Sequence, residues 1–237
     1  MPRRFKSTMH GLLVVDKPVG PSSMAVVRRV RRAAGMCKTG HGGTLDPLAS
    51  GILVCALGKA TKLVEDLMDH DKVYETSIDL SAFTTTDDAE GERLPAPTEQ
   101  PPSRAAIDDA LASLTGTIMQ RPPAYSACKV QGKAAYARAR AGEQVELPAR
   151  PVRIDAIQLR SYVWPELQLS VQCGRGTYIR SLARQIGEAL GCGGHLTALR
   201  RCRVGDFDLH RAIPLDRLPE RIEQADLIVP EGLGIPD

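Results

Sequence analysis

Apolar and polar positions recur with two different periods along this chain, and each change of period marks an element. Residues 11–15, Gly-Leu-Leu-Val-Val, form a short apolar run closed by Lys17-Pro18, which predicts a buried strand ending in a turn. Ser22 or Ser23 then precedes Val26, Val27, Val30 and Ala34, a spacing that predicts a capped helix with four arginines outside it. A second run, Gly51-Ile-Leu-Val-Cys-Ala-Leu57, predicts another buried strand. Residues 60–68, with Leu63 and Leu67 one turn apart, predict a short helix. From Lys72 to Leu80 the period falls to two: Tyr74, Thr76, Ile78 and Leu80 share one face, and Val73, Glu75, Ser77 and Asp79 the other.

Residues 84–102 are polar and proline-bearing and read as a long surface connection. Ser103 caps a helix with Ile107, Leu111 and Leu114 inside. Residues 116–147 carry paired prolines and Lys129, Lys133, Arg138 and Arg140 around a short helix near 134–141, which predicts a protruding basic segment. Strands follow near 152–159 and 167–173, the second with Leu167, Leu169, Val171 and Cys173 inward. Thr177 opens a helix with Ile179, Leu182, Ala183, Ile186 and Leu190 inside, ended by Gly191. A strand over 195–204 and a final short helix over 215–225 complete the reading. Strands and helices mix without βαβ regularity, which predicts an α+β fold around a mostly antiparallel sheet.

At 237 residues the chain can hold one sizeable domain or two small ones. Its six cysteines are scattered, without a CxxC pair, a secretory leader or an apolar run of the ~20 residues a membrane span needs. A reduced, cytoplasmic protein is therefore expected. Cys37 with His41, and Cys192 with His195, imitate zinc spacing, but the pairs are unrepeated and lie in glycine-rich loops, so no metal is expected. The net charge of +3 is modest. Its distribution is less so: Arg3-Arg4-Lys6, Arg28-Arg29-Arg31-Arg32 and Arg200-Arg201-Arg203 cluster, and arginine's planar fork suits phosphate. A solvated helix face explains such runs equally well.

The candidate chemistry centres on Lys38–Gly51, a loop with four glycines and one carboxylate, Asp46, directly before Pro47. Taken alone, that aspartate could simply shape an Asp-Pro turn. The wording of the loop adds to this. GHGGTLDPLASG resembles the GHtGTLDPlAtG signature of the TruB family of tRNA pseudouridine synthases. Gly11 to Ser23 is similar to the family's opening strand and DKPxGxtS turn. Lys72-Val-Tyr74, Thr84 to Gly91, Arg121 to Ala127, Gly176-Thr-Tyr-Ile-Arg180 and His195 to Arg201 match further blocks in order, so the resemblance runs from about residue 10 to 218.

This resemblance implies the pseudouridine synthase catalytic fold, a mixed, mostly antiparallel central sheet flanked by helices and loops, as a single domain over 1–237. It implies that the basic segment near 116–147 grips an RNA stem-loop. Many bacterial relatives continue into a PUA-type RNA-binding domain, for which this sequence is expected to have no room. The implied activity is isomerisation of the T-arm uridine of tRNA, position 55, to pseudouridine, by a monomer. The reaction is redox-neutral and no dinucleotide fingerprint is present, so no cofactor is expected.

By the same resemblance Asp46 is the nucleophile and Arg180 its guanidinium partner. Tyr74 stacks on the flipped uracil and is the candidate to take the C5 proton. Tyr178 and Leu199 contact the substrate nucleotide, and His41 fills the place in the RNA stack that the extruded base leaves. Lys17 either supports the loop or occupies an exposed turn. Helical spacing alone would make Arg180 an exposed neighbour of Arg184, and a place on the apolar face of its strand would make Tyr74 a core tyrosine. Two departures from the family pattern stand out: Thr85 replaces a common acid, and Gly42 a frequent threonine. The alternatives are a non-catalytic RNA-folding protein on the same scaffold, which the retained aspartate, arginine and tyrosine disfavour, and a guide-dependent relative, expected to carry the additional domain.

Overall fold

The computed structural model describes residues 9–97, 100–123, 129–130, 133–134 and 147–231. In its first part the chain forms β1 (Gly11–Lys17), α1 (Ser23–Ala33), β2 (Thr39–His41), β3 (Ala49–Leu57), α2 (Val64–Asp69) and β4 (Lys72–Asp79). Next come β5 (Phe83–Thr84), β6 (Arg93–Leu94), α3 (Arg104–Ser113), β7 (Gly116–Gln120), β8 (Lys129–Val130) and β9 (Lys133–Ala134). The last part holds β10 (Arg150–Val163), β11 (Glu166–Cys173), α4 (Ile179–Leu190), β12 (His195–Val204), β13 (Phe207–Asp208) and β14 (Ile213–Pro214). This is the expected α+β mixture. Two compact units emerge, Met1–Tyr74 with Arg200–Asp237, and Glu75–Leu199, and the chain passes from one to the other inside β4 and inside β12.

In the first unit β1 runs antiparallel to β3, with Lys17 opposite Gly51, and parallel to β14, with Val15 opposite Ile213. β2 pairs with β3, placing His41 opposite Cys55. The two apolar runs are unbroken because both of their faces are covered. Leu13, Val15, Leu53, Cys55 and Leu57 pack with Val26, Val27 and Val30 of α1. The alternate residues Leu12, Val14, Ile52 and Val54 pack with Ala60, Leu67, Val204 and Phe207. Ser22 is the residue that caps α1, its hydroxyl accepting the Ala25 N–H at 3.2 Å.

Two predictions for this unit need correction. Residues 60–68 are not one helix: Gly58–Leu63 is a 3₁₀ segment leading into α2. The Thr61 hydroxyl donates to the Gly58 carbonyl at 2.8 Å, a local bond of the kind that competes with α-helical pairing. Residues 215–225 hold two 3₁₀ turns, Leu215–Arg217 and Gln224–Asp226, rather than a helix. Pro219 pushes the residue before it out of the helical region, and Leu218 lies at φ −60°, ψ 126°.

In the second unit neighbouring strands follow the order β12, β4, β11, β10, β7. β10 and β11 form an antiparallel pair from Ile154 opposite Cys173 to Val163 opposite Glu166, and Leu167, Leu169, Val171 and Cys173 are all buried as the alternation predicts. Residues 116–120, read as the start of a protrusion, are instead a strand on β10, with Ile118 opposite Val152. Most of 124–146, including the predicted helix near 134–141, lies outside the described residues apart from the β8–β9 pair. The predicted surface connection over 84–102 holds the β5–β6 hairpin and buries Thr84, Asp87 and Asp88. Ser103 caps α3 and Gly191, at φ +66°, ends α4, which starts at Ile179 rather than Thr177. No helix among the described residues is long and apolar enough to cross a membrane.

Candidate active site

Asp46 lies half-buried on the connection from β2 to β3. Its carbonyl accepts the Ala49 N–H at 3.1 Å, closing a turn through Pro47, and the Gly20 N–H reaches the Pro47 carbonyl at 2.8 Å. Side chains then hold the backbone on both sides of it. Ser23, buried in the first turn of α1, donates its hydroxyl to the Leu45 carbonyl and accepts the Leu45 N–H, both at 2.8 Å. Lys17, fully buried at the end of β1, donates to the carbonyls of Pro18, Pro47 and Ala49 at 2.9, 3.4 and 2.5 Å. Of the two expectations for Lys17, loop support is the one observed.

Arg201, also buried, donates from Nε to the Ile52 carbonyl at 2.7 Å and from Nη2 to the Gly43 carbonyl at 3.0 Å. Gly51 lets β12 come this close: at φ +102°, a Cβ there would stand 2.2 Å from the Arg201 carbonyl oxygen. A backbone tied at residues 43, 45, 47 and 49 leaves Asp46 little freedom beyond its own side-chain torsions. Burial pushes the Lys17 ammonium down to about 8, the attraction of Asp46 opposes this, and Arg201 adds to the lowering. For His41, half-buried at the end of β2, burial and then Arg201 lower the pKa against a bond to the Gly43 backbone, which favours a neutral ring.

The second unit gathers a different group at the start of α4. Arg180, 5% exposed, donates from Nη1 to Asp88 Oδ2 and to the Thr86 carbonyl, both at 3.3 Å. The other oxygen of Asp88 accepts from Thr86 Oγ1 at 2.6 Å and from the Glu90 N–H at 3.1 Å. Arg184, one turn along, is paired with Asp87, which sits at φ +62°. Burial pushes the Asp87 carboxyl up to about 6, with Arg184 and Arg180 opposing. Arg180 and Arg184 are therefore tied to one acidic turn, which explains why Asp87 and Asp88 are buried although Thr85, Ala89 and Glu90 beside them are exposed.

Tyr178 stands at the N-cap of α4, and Gln120, 1% exposed, accepts its N–H at 2.7 Å while donating to Gln185 Oε1 at 3.2 Å. The Arg150 guanidinium lies 5.6 Å from the centre of the Tyr178 ring. Gln120 went unnoticed in the sequence: a single amide at a strand end shows no periodic signal. Ser23 and Arg201 fall in matched family blocks and read in the sequence as a possible cap and as part of a cationic run, neither of which shows the loop-holding role.

The sequence-predicted residues thus divide between the units. Lys17, His41 and Asp46 gather in the first, with Tyr74 at the end of that unit's first stretch of chain, on the buried face of β4 and 8% exposed. Tyr178 and Arg180 meet in the second, with Leu199 its last residue, in β12 and 9% exposed. The two departures have local accounts. Thr85 Oγ1 accepts the Glu92 N–H at 3.1 Å, so a hydroxyl still closes that loop. At Gly42 a Cβ would lie 2.6 Å from Leu67 Cβ, so the place a threonine would need is filled by α2. His195 Nδ1 meets the Ala82 carbonyl at 2.8 Å, and the Cys37 thiol meets the Met9 carbonyl at 3.4 Å.

The family described as TruB family pseudouridylate synthase (N terminal domain) matches residues 31–179, and the tRNA pseudouridylate synthase B C-terminal domain matches residues 180–228. The tRNA pseudouridine synthase B of Corynebacterium aurimucosum is 50% identical over 217 residues, 90% of this chain and 73% of that protein. That of Xanthomonas campestris pv. campestris is 45% identical over 240 residues, 100% of this chain and 78% of that protein. Among solved structures, a chain of a Cbf5-Nop10-Gar1 complex is similar with a TM-score of 0.68 at 32% identity. That match covers 87% of this chain and 52% of the other, so this chain spans about half of its length.

Proposed function

The chain belongs to the TruB family of pseudouridylate synthases and isomerises uridine in tRNA, and from that premise we propose that its target is the T-arm uridine at position 55, with Asp46 as nucleophile. The observation that carries the second part is the Asp46 turn, anchored through Leu45, Pro47 and Ala49 to Ser23 and Lys17. Such anchoring serves a carboxylate that must meet a reacting atom, whereas a turn-forming aspartate does not need it.

The reaction breaks the bond from ribose C1′ to N1, turns the base and joins C1′ to C5; the C5 proton leaves and N1 acquires one. A carboxylate can carry the nucleophilic step. Arg180 is the proposed partner of that carboxylate, and its bonds to Asp88 and Thr86 support a fixed orientation for its guanidinium. Tyr74 is proposed to stack on the extruded uracil and take the C5 proton. Tyr178 and Leu199 are proposed to contact the nucleotide, and His41 to fill the vacated place in the RNA stack, a role suited to a neutral ring. Lys17 is proposed to hold the loop beneath the substrate. Extruding the base costs a few kcal/mol, which pocket contacts offset. We further propose one catalytic domain acting as a cytoplasmic monomer without a cofactor, with the basic part of the 116–147 segment that follows β7 gripping the T-arm stem-loop.

Mapping the product tests the target. An unmodified tRNA transcript should acquire pseudouridine at position 55 alone, and a transcript with cytidine there should acquire none. Product at another position would overturn the assignment while leaving the activity intact.

A further inference from the structure

We propose that the outer face of α1 is a phosphate-binding surface that grips the backbone of the RNA substrate. The inference rests on the tRNA reading above and adds to it a contact that the uridine chemistry does not require.

Residues 21–40 contain Arg28, Arg29, Arg31, Arg32 and Lys38 and no acid, against a net charge of +3 for the whole chain. All five are exposed, while Val26, Val27, Val30 and Ala33 face the core. Packing therefore accounts for the apolar half of α1 and gives no reason for arginine on the other half. Among the described residues none of these four guanidiniums forms an ion pair or a side-chain hydrogen bond. Elsewhere exposed arginines do find acids, as Arg104 does with Asp108 and Arg153 with Asp155.

The arrangement costs the helix something. Arg28 with Arg31, Arg29 with Arg32, and Arg28 with Arg32 are like charges three and four apart, and such pairs repel on a helix surface. The helix dipole offsets this for Arg31 and Arg32 in the last turn and not for Arg28 and Arg29 in the middle. A cost without a structural return points to a polyanion. Arginine rather than lysine fits bidentate phosphate contact.

Arg3-Arg4-Lys6 lies outside the described residues, and the run Arg200-Arg201-Arg203 does not offer the same surface. Arg200 is paired with Asp16 at 2.7 Å, and Arg201 is buried against backbone carbonyls. Arg29 and Arg32 line an open cleft of about 270 Å³ with Ala33, Leu218 and Pro219, whose wall is fixed by the Ile222 N–H on the Ala33 carbonyl at 2.9 Å. Glu220, also in that lining, forms no ion pair with either arginine. Within the same unit α1 packs on β2, the strand that runs straight into the Asp46 loop. An RNA whose uridine reaches that loop thus has a cationic helix beside its backbone.

The test is the full chain carrying Arg28→Gln, Arg29→Gln, Arg31→Gln and Arg32→Gln together, compared with wild type on an unmodified tRNA transcript. Since each neutralised phosphate contributes about 0.9 to the slope of log K against log salt, loss of two to three contacts should flatten it by roughly two to three. The tRNA Kd should weaken by at least about tenfold at low salt. Turnover at saturating tRNA should stay within about twofold, and thermal stability should hold or rise as repulsion is relieved. An unchanged Kd with an unchanged salt slope overturns the proposal. If binding to an acidic polypeptide is lost while tRNA affinity is kept, the face belongs to a protein partner and the proposal also falls. Wild type that neither binds nor isomerises tRNA would instead remove the premise.

Discussion

At the scale of single residues, the site depends on side chains whose polar atoms serve the backbone. Ser23 both donates to and accepts from Leu45, the residue before Asp46. Ser23→Ala would leave a buried N–H and carbonyl without partners, at a cost of about 1–3 kcal/mol. If that cost falls on the position of Asp46, turnover should drop by roughly 5- to 150-fold. The tRNA Kd should stay near the wild-type value. Lower thermal stability with full turnover would place Ser23 in the fold and outside the chemistry. Such roles were only partly legible. Lys17 read as loop support or an exposed turn because a Lys-Pro end fits either, and only its register opposite Gly51 puts it under the loop. Arg201 was grouped by charge with its neighbours. The period-two pattern that buries Leu199 and Arg201 and half-exposes Arg200 and Cys202 was there to be read in β12.

At the scale of elements, periodicity and caps carried most of the fold. The alternation over Lys72 to Leu80, the Ser103 cap and the Gly191 stop each match an observed element or end. What was missed depends on partners distant in sequence. The acidic turn at 87–88 is buried because α4 brings Arg180 and Arg184 to it, and β7 is a strand because β10 extends to meet it. Gln120 joins those two additions, reaching from β7 to the Tyr178 N–H at the start of α4. Gln120→Leu should therefore misplace Tyr178 and Arg180, lowering kcat by about tenfold or more for a loss of over 1.4 kcal/mol in barrier terms. Gln120→Glu keeps the acceptor and should recover much of the activity. Wild-type kcat in the leucine variant would rule out this positioning role.

At the scale of the whole molecule, the family was legible because its blocks occur in order along nearly the entire chain, and no single loop had to carry the inference. The division into two compact units was not. A length of 237 residues allows one domain or two, and the boundaries fall inside β4 and β12, where hydrophobic pattern continues without a break. Charge shows the same limit, since +3 overall conceals a helix with four exposed arginines. The account as a whole turns on Asp46. Its most direct test is tritium release from C5-labelled uridine in an unmodified tRNA transcript, with wild type and Asp46→Asn run in parallel and tRNA binding measured for both. Release by wild type, none above background from Asp46→Asn, and similar Kd values are predicted. Release by Asp46→Asn at the wild-type rate would contradict the account and leave the carboxylate as a turn former.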